Sequence, residues 1–374
     1  MENILAIGSP KFPLHKFRES GANVILVIKK ENHAMSDLSF KTVIIVDDYC
    51  KSTIQPLVGE LIRKYSIKGI VTFTEENQSD INEICRDYSL PSISQHAIEY
   101  ANNKHKMRQL LDTIDCRQVP YVLVSSSDSL VNFSSREGFP IIIKPISGTG
   151  SVNVHILYNI EQIEDFCRIY ENEYGSLIAE KYIDGEEVSV ECFTNNGTHT
   201  LLSITDKFTT GVPHFVEFCH VSPGKNMKNR DRIEKVVFAL LNALELNFGI
   251  SHTEIKINDN GIYIIETHVR PGGDCIMDLL EKSYGFDPYI LLANKQMNNN
   301  EYVEKQLELI RHQKNIYVTG IRYIIAPFGK IKSVEGFKEI ENMPGWYRSF
   351  NSYKVGDQVG AFYNSFTRNG WVMA

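Results

Sequence analysis

Short apolar runs alternate with helical patterns over the first hundred residues. STIQPLVGELIRKYS (52–66) and NQSDINEICRDYS (77–89) have the apolar spacing of crossover helices. The apolar runs are bounded by polar or turn residues, which is typical of buried strands in a parallel sheet. They are NILAIG (3–8), NVILVI (23–28), TVIIVD (42–47) and IKGIVTF (67–73). The pattern predicts an α/β domain over residues 1–97.

The pattern changes after this domain. NNKHKMRQLLDTI (102–114) predicts a helix, and strand and helix patterns then alternate from Tyr121 to about Ile183. Alternating strands around Asn-Gly type turns follow in VECFTNNGTHTLLSIT and EIKINDNGIYIIET, with an amphipathic helix between them over 231–246. We therefore expect a helix and small mixed region over 98–183, a hairpin-rich region over 184–305 and a β-rich C-terminal lobe over 306–374.

Composition narrows the classes of function. The 374 residues include 39 Lys and Arg against 46 Asp and Glu, a net charge of −7, which argues against non-specific binding to nucleic acid or acidic membranes. No apolar run reaches the roughly 18–20 residues that span a bilayer, and the start does not resemble a signal peptide. The seven scattered cysteines, without a CxxC, favour reduced thiols in a cytoplasmic protein.

A charged residue ends an isoleucine-rich strand in GFPIIIKPISGTGSVNV, residues 138–154. Lys144 closes the apolar run, and the small residues from Ser147 to Ser151 follow it. Such a loop lets backbone N–H groups approach phosphate oxygens, while the lysine adds a point charge. The chain has neither GxGxxG nor the P-loop pattern GxxxxGK[ST]. An ordinary hairpin loop also fits these residues, so both interpretations stay open.

A second candidate follows in LIAEKYIDGEEVSVE, residues 177–191. The backbone leaving a strand at Glu180 to Ile183 can pair with an adenine edge. A carboxylate just beyond, at Glu187, can accept hydrogen bonds from ribose hydroxyls. A solvated hairpin turn explains the same residues equally well.

The most informative segment is SHTEIKINDNGIYIIETHVRPGGD, residues 251–274. With the turn centred at Asn260, the apolar face pairs Ile255 with Ile265 and Ile257 with Tyr263. The other face then pairs His252 with His268 and Glu254 with Glu266. Facing carboxylates destabilise a sheet unless a cation neutralises them, and hard oxygen ligands suit Mg²⁺. Arg270 and two glycines follow as an anion clamp. The alternative is a surface hairpin with solvated acids.

In order as well as in type, these segments resemble the ATP-grasp superfamily of carboxylate–amine ligases. That family has a further lysine before the lid, and Lys104 in NNKHKMRQLL matches it. The resemblance covers residues 100–300 by motif and is greatest to the L-amino-acid ligase branch, in HTEIKI…GIYIIETHVRPGGDCI, TDKFTTGVPHFVEFCHVSPG and the last lobe. It implies an α/β (α+β) ATP-grasp fold with a parallel N-terminal domain over 1–97, a helix and small lid subdomain over 98–183, a catalytic subdomain with the metal-binding hairpin over 184–305 and a β-rich C-terminal lobe over 306–374.

The resemblance also implies site residues. Expected ATP contacts are Lys104, Lys144, Ser147, Gly148, Thr149, Gly150, Ser151, Glu180, Lys181, Ile183 and Glu187. Lys104 and Lys144 would hold the α and β phosphates, with the Ser147–Ser151 loop over the β/γ end. Glu180, Lys181 and Ile183 would surround the adenine, and Glu187 the ribose.

The remaining implied roles concern the metal and the reaction. Glu254 and Glu266 would hold Mg²⁺ or Mn²⁺. The residues expected to act in catalysis are Arg270 on the acyl phosphate and the tetrahedral intermediate, Lys207 on the γ-phosphate and His220 on the acceptor side. Many relatives have asparagine as a further metal ligand where this chain has His268, a poor Mg²⁺ ligand. His268 would instead orient Glu266 or touch substrate, or would be a plain core or surface histidine.

The implied activity is an ATP-dependent ligase. Phosphorylating a carboxylate gives a mixed anhydride, and amine attack then yields an amide, ADP and phosphate. The expected partners are small-molecule carboxylate and amine substrates, with no nucleic acid or membrane. Alternatives are a ligase that loads an amino acid onto a carrier protein or a specialised-metabolite acceptor, and a non-catalytic nucleotide-binding subunit. Related enzymes are often dimers, and nothing in the sequence decides whether this chain forms a homodimer.

Overall fold

The computed structural model describes residues 2–8, 11–31, 40–75, 77–148, 150, 152–360 and 363–374. A parallel sheet in the order β3-β2-β1-β4 forms the N-terminal domain. Its strands are β1 (Asn3–Ile7), β2 (Asn23–Lys29), β3 (Thr42–Val46) and β4 (Ile67–Val71), and its helices are α1 (Lys11–Glu19), α2 (Lys51–Tyr65) and α3 (Gln78–Asp87). Every strand predicted from an apolar run is present, and their parallel pairing is confirmed.

A small antiparallel sheet in the order β5-β8-β6-β7 follows. Its strands are β5 (Tyr121–Leu123), β6 (Ile141–Pro145), β7 (His155–Leu157) and β8 (Leu177–Lys181), and the helices before and around it are α4 (Gln95–Ala101), α5 (Lys104–Leu111), α6 (Ser127–Glu137) and α7 (Ile160–Tyr170). Ile141 and Ile143 are fully buried in the core of this sheet. Because strand residues alternate between faces, Lys144 lies on the face opposite to them.

The largest sheet is antiparallel, in the order β13-β12-β9-β10-β11-β14-β18-β16. Its strands are β9 (Glu186–Asn195), β10 (Thr198–Thr209), β11 (Glu217–Ser222), β12 (Phe248–Asn258), β13 (Gly261–His268), β14 (Thr319–Tyr323), β16 (Arg348–Asn351) and β18 (Gly370–Met373). A separate ladder pairs β15 (Gly329–Lys330) with β17 (Gln358–Val359). Strands β14, β16 and β18, from residues 306–374, thus extend the large sheet across the predicted domain boundary.

Helices cover this sheet. The predicted helix over 231–246 is α8 (Arg230–Ala243). The apolar pattern after residue 275, which the sequence analysis left unassigned, forms α9 (Ile276–Tyr284), α10 (Pro288–Gln296) and α11 (Asn300–His312), and a short α12 (Phe337–Ile340) lies in the lobe. Within the described residues, no helix is both long enough and apolar enough to cross a membrane.

The predicted register of the β12–β13 hairpin is correct from His252 to Glu254 and wrong from Ile255 to the turn. His252 faces His268 and Glu254 faces Glu266. Beyond Glu254 the register shifts, so Ile255 faces Ile264 and Ile257 faces Ile262, whereas Ile265 and Tyr263 were expected. The irregularity is a β-bulge, which lets Ile265 and Glu266 both border the same cavity while Ile264 stays in the core.

One apolar core joins the N-terminal domain to the large sheet. It combines Ile4 and Phe17 from the first domain with Phe193 of β9, Leu280 of α9 and Leu292 of α10, all buried. The contact therefore fixes the carboxyl end of β4 beside the edge of the large sheet. That junction is where the candidate site lies.

Candidate active site

A cavity of about 900 Å³ lies where the three sheets described above meet. Its walls come from the N-terminal domain, the lid sheet, the large sheet and the last residues before β18. The described residues predicted for the site all line it: Lys104, Lys144, Ser147, Gly148, Gly150, Glu180, Lys181, Ile183, Glu187, Lys207, His220, Glu254, Glu266 and Arg270. Thr149 and Ser151 lie outside the described residues.

The floor of the cavity is one face of the large sheet. Cross-strand pairing sets its polar side chains in rows: Lys256, Glu187, Lys207 and His220; Glu266, Glu254, Ser189 and Thr205; His268, His252, Glu191 and Ser203. Period-two alternation keeps these residues on the same face. The floor is therefore a polar surface with many charged side chains, and the backbone pairing of the strands determines which side chains are neighbours.

Lys104 and Lys144 approach the small-residue loop from two elements. Asn103 caps α5 by accepting a hydrogen bond from the Lys106 N–H (3.0 Å), so Lys104 is the first residue of the helix. Its Nζ donates to the carbonyl oxygen of Gly148 (2.7 Å). Lys144 and Lys104 are both buried at this end of the cavity. Two ammonium groups beside an open glycine backbone suit phosphate oxygens.

The carboxylate of Glu180 is held by two cations. Oε2 lies 2.8 Å from Nζ of Lys144, and Oε1 accepts from Nε of Arg108 (2.7 Å). Burial raises the pKa of Glu180, but Arg108 and Lys144 outweigh it and lower that pKa to about 2. The side chain thus orients Lys144, while the adenine role expected for this segment stays a prediction for its backbone.

Arg108 was missed in the sequence analysis. It is fully buried, and besides Glu180 it donates to the carbonyl oxygens of Ile264 (2.6 Å) and Ile265 (2.9 Å) at the β13 bulge. It therefore ties α5, the lid sheet and the bulge together. Its position one helical turn after Lys104 was the signal in the sequence, since residues four apart share a face.

Lys207 stands in the middle of the floor among three carboxylates. Its Nζ lies 2.7 Å from Oε1 of Glu254, 3.1 Å from Oε1 of Glu187 and 3.5 Å from Oε1 of Glu217. Burial lowers the pKa of Lys207, but the attraction of Glu254 and the other carboxylates raises it well above its usual value. The residue is a fixed cation at the centre of the cavity.

The facing carboxylates of Glu254 and Glu266 are neutralised within the protein. Lys207 and His252 contact Oε1 of Glu254, and Lys104 lies 3.4 Å from Oε2 of Glu266. Despite burial, which raises them, these cations hold both carboxyl pKa values well below 4.5. The repulsion that the sequence argument assigned to a bound cation is thus already relieved by neighbouring side chains.

The two carboxylates still fit a divalent cation. Among the described residues the contacts of Glu254 go to Oε1, which leaves Oε2 for a ligand. Across the described part of the chain, no cluster of three or more His, Cys, Asp or Glu side chains could hold a metal by itself. Mg²⁺ is commonly held by one or two carboxylates together with substrate phosphates, which is the donor set available here.

His268 lies between two acids. Its Nε2 is 2.7 Å from Oε1 of Glu266, and its Nδ1 is 2.9 Å from Oε1 of Glu75. Burial lowers the pKa of His268, but Glu266 and Glu75 raise it overall. His268 thus lies between two carboxylates, and the role of orienting Glu266 stays a prediction.

Arg270 is anchored by the N-terminal domain. Its Nε donates to Oε1 of Glu75 (2.7 Å), and one terminal nitrogen donates to the carbonyl oxygen of Pro271 (2.9 Å). Glu75 follows β4, at the carboxyl edge of the parallel sheet. Ligand sites occur at that edge in open α/β sheets, so the edge was the available signal for Glu75, which the sequence analysis missed.

His220 belongs to a cluster at the opposite wall. Its Nε2 lies 2.9 Å from Oδ2 of Asp274. Arg368 donates one hydrogen bond to each oxygen of the same carboxylate, 2.7 Å to Oδ2 and 2.6 Å to Oδ1. Burial raises the pKa of Asp274, but the bonds from His220 and Arg368 lower it far more. No pattern in the sequence pointed to Arg368, because its partner lies 94 residues away.

Comparison with known proteins gives matches along most of the chain. The model of the ATP-grasp domain family matches residues 137–278, and that of L-amino acid ligase C-terminal domain 2 matches residues 322–374. The L-arginine-specific L-amino acid ligase of Bacillus subtilis is 24% identical over 85% of this chain and 77% of its own length. The uncharacterized protein y4rH of Sinorhizobium fredii is 24% identical over 79% of this chain, which spans 61% of that relative.

Solved structures give the same fold. The L-amino acid ligase from Bacillus licheniformis superposes with a TM-score of 0.83 at 18% identity, over 100% of this chain and 93% of that one. A phosphoribosylglycinamide synthetase from Anaerococcus prevotii follows with a TM-score of 0.75 at 19% identity, over 100% and 93%. The arrangement of parallel domain, lid sheet and large antiparallel sheet is thus shared with these ligases.

Proposed function

Because the chain carries an ATP-grasp domain followed by an L-amino acid ligase C-terminal domain, and so belongs to the ATP-grasp superfamily, we propose that it is an ATP-dependent carboxylate–amine ligase. It phosphorylates the carboxylate of an amino acid and couples it to an amine, giving an amide, ADP and phosphate. The name of one relative, the L-arginine-specific L-amino acid ligase of Bacillus subtilis, supports this substrate class.

One observation carries the proposal. Lys104 and Lys144 at one end, the Glu254–Glu266 pair with Lys207 in the middle, and Arg270 on the adjoining wall all border a single cavity. Phosphoryl transfer needs little covalent chemistry from the protein and depends on positioning and charge neutralisation. This order of groups follows the order of the reacting parts, from nucleotide phosphates to carboxylate.

In the first step the lysines bind the nucleotide. Lys104 and Lys144 neutralise the α and β phosphates, and Lys207 attracts the γ-phosphoryl group as it moves to the substrate carboxylate. A divalent cation, Mg²⁺ or Mn²⁺, held by Glu254 and Glu266 would neutralise phosphate charge. The acyl phosphate hydrolyses in water. The Ser147–Ser151 loop is therefore proposed to exclude solvent for as long as the acyl phosphate is present.

In the second step the amine attacks the acyl phosphate. Negative charge then develops on the former carboxylate oxygen, and the remaining N–H groups of Arg270 donate to it. Phosphate leaves as the tetrahedral intermediate collapses to the amide. His220 borders the cavity beyond Lys207 and is proposed to face the acceptor amine.

The test is ADP release with Mg-ATP against pairs of the twenty amino acids, combined with mass spectrometry of the products. We expect ADP only when a carboxylate and an amine substrate are both present, together with a dipeptide mass. ATP binding without ADP from any pair would move the proposal to a carrier protein or a specialised-metabolite acceptor. Failure to bind ATP would contradict the proposed function itself.

A further inference from the structure

Each carboxylate of the Glu254–Glu266 pair, on the β12–β13 hairpin, lies next to a histidine. His252 and His268 face each other across β12 and β13, next to the Glu254–Glu266 pair, and their rings stack at 5.9 Å with an interplanar angle of 22°. Nε2 of His252 lies 3.2 Å from Oε1 of Glu254. The same nitrogen of His268 lies 2.7 Å from Oε1 of Glu266. The two strands therefore place a histidine beside each carboxylate, hydrogen-bonded in the case of His252 and at ion-pair distance in the case of His268.

Each histidine also reaches a second acid. Nδ1 of His252 lies 2.6 Å from Oε1 of Glu191, its partner across the β9–β12 ladder. Nδ1 of His268 lies 2.9 Å from Oε1 of Glu75. We call Glu191, His252 and Glu254 the Glu191 triad, and Glu75, His268 and Glu266 the Glu75 triad. The Glu191 triad lies within one sheet, whereas the Glu75 triad joins two domains.

Stability does not account for Glu191. The residue is fully buried, with 0% of its surface exposed, and its Oε2 has no hydrogen-bond partner among the described residues. Burying a carboxylate is expensive, and replacing a buried ion pair by apolar residues of similar volume is often neutral or stabilising. A fully buried acid whose hydrogen bond goes to His252 is therefore better explained by what it does to His252.

The same pair supports the turn that carries Arg270. A Cβ added to Gly272 would lie 2.7 Å from Nδ1 of His252 and 3.2 Å from Oε2 of Glu191. The backbone after Arg270 thus packs directly on the histidine and the acid. His252 contacts the Glu254 carboxylate on one side and this turn on the other.

We propose that Glu191 and His252 are positioning residues, which fix the Glu254 carboxylate for a divalent cation and hold the turn that carries Arg270. A carboxylate with one oxygen held by an imidazole presents the other oxygen in a fixed direction. Hydrogen-bond partners orient metal ligands in this way in many proteins. The inference rests on the proposed function, in which Glu254 and Glu266 bind the cation.

The test measures Mn²⁺ binding to the whole chain with saturating ADP, from the electron paramagnetic resonance signal of free Mn²⁺. We expect roughly 10–100-fold weaker Mn²⁺ binding in His252→Gln and in Glu191→Gln. ADP binding without metal, followed by calorimetry, should stay within twofold of the wild type.

His199→Gln is the matched control. His199 lies in β10 of the same sheet and has both ring nitrogens engaged, by Thr194 (2.8 Å) and Asn242 (3.2 Å), but it does not border the cavity. Its Mn²⁺ affinity should equal that of the wild type. The double variant Glu191→Gln/His252→Gln should bind Mn²⁺ no more weakly than His252→Gln, because the two residues act through one contact.

Three results would overturn the inference. One is Mn²⁺ binding by His252→Gln within twofold of the wild type. Another is full additivity in the double variant, which would separate Glu191 from His252. The third is a fall in Mn²⁺ affinity fully explained by a lower folded fraction in guanidinium unfolding. Failure of the proposed function looks different, because the wild-type chain would then bind ADP but no Mn²⁺.

Discussion

At the scale of single residues, the site consists of charges that hold one another in place. Lys144 is oriented by Glu180, Lys207 by three carboxylates and Arg270 by Glu75. Such groups need no reorganisation when charge develops on a substrate, which is the main source of electrostatic catalysis. Replacing any one of them removes one of the contacts that hold its partner, and the partner keeps the others: Glu180 keeps Arg108, and Glu75 keeps His268.

One prediction concerns the kinetic effect of removing the Arg270 side chain. In Arg270→Ala we expect kcat to fall by about 10²–10³-fold, as for the loss of one oxyanion donor, with little change in nucleotide affinity. Steady-state kinetics and calorimetry measure the two quantities. Arg136→Ala is the control, because Arg136 is exposed on α6 and lies outside the cavity. Near-normal turnover of Arg270→Ala would contradict its assigned role.

Glu180 gives a dependence on pH. Its pKa is about 2 in the folded chain against an ordinary value of 4.5, so its ionised form stabilises the fold above about pH 4.5. That contribution is lost as the pH falls from about 4.5 to 2. In Glu180→Gln, which leaves Arg108 unpaired, we expect a loss of about 3–5 kcal/mol near pH 7.

Denaturant unfolding of both proteins across this range checks the prediction. The difference in unfolding free energy between wild type and Glu180→Gln should narrow as the pH drops below 4.5. A difference that stays constant down to pH 2 would show that Glu180 does not titrate as described.

At the scale of elements, the β12–β13 hairpin shows what a pattern can and cannot predict. The predicted register placed Glu254 opposite Glu266 correctly, next to the pairing of His252 with His268. It could not reveal the bulge at Ile265, since an extra residue satisfies the apolar face as well as a regular ladder does. The bulge is held by Arg108, from a helix far away in the chain.

The glycine turn after Arg270 provides a matched pair of variants. In Gly272→Ala the new Cβ would contact His252 at 2.7 Å, whereas in Gly273→Ala it would have nothing within 4 Å. We expect Gly272→Ala to lose about 1–3 kcal/mol of stability, as for other overpacked sites, and Gly273→Ala to lose far less. Thermal and denaturant unfolding measure both. Equal losses would mean that the turn does not rest on His252.

At the scale of the whole molecule, the sequence predicted the individual elements better than their meeting points. The parallel domain, the lid strands and the hairpins follow from local periodicity and turn residues. The contacts of Glu75 with Arg270 and of Asp274 with Arg368 do not, because they depend on how separate sheets pack. The domain boundaries stay predictions, and the strands after residue 318 continue the catalytic sheet.

The position of Arg368 has a consequence for biosynthesis. A ribosome synthesises a chain from its N-terminal side, so Lys104, Lys144 and both hairpin carboxylates are made well before Arg368. Until Arg368 is in place, Asp274 lacks the two hydrogen bonds that Arg368 donates, one to each carboxylate oxygen. A nascent chain therefore contains the groups proposed for nucleotide binding before it contains the residue that bonds Asp274 at the opposite wall.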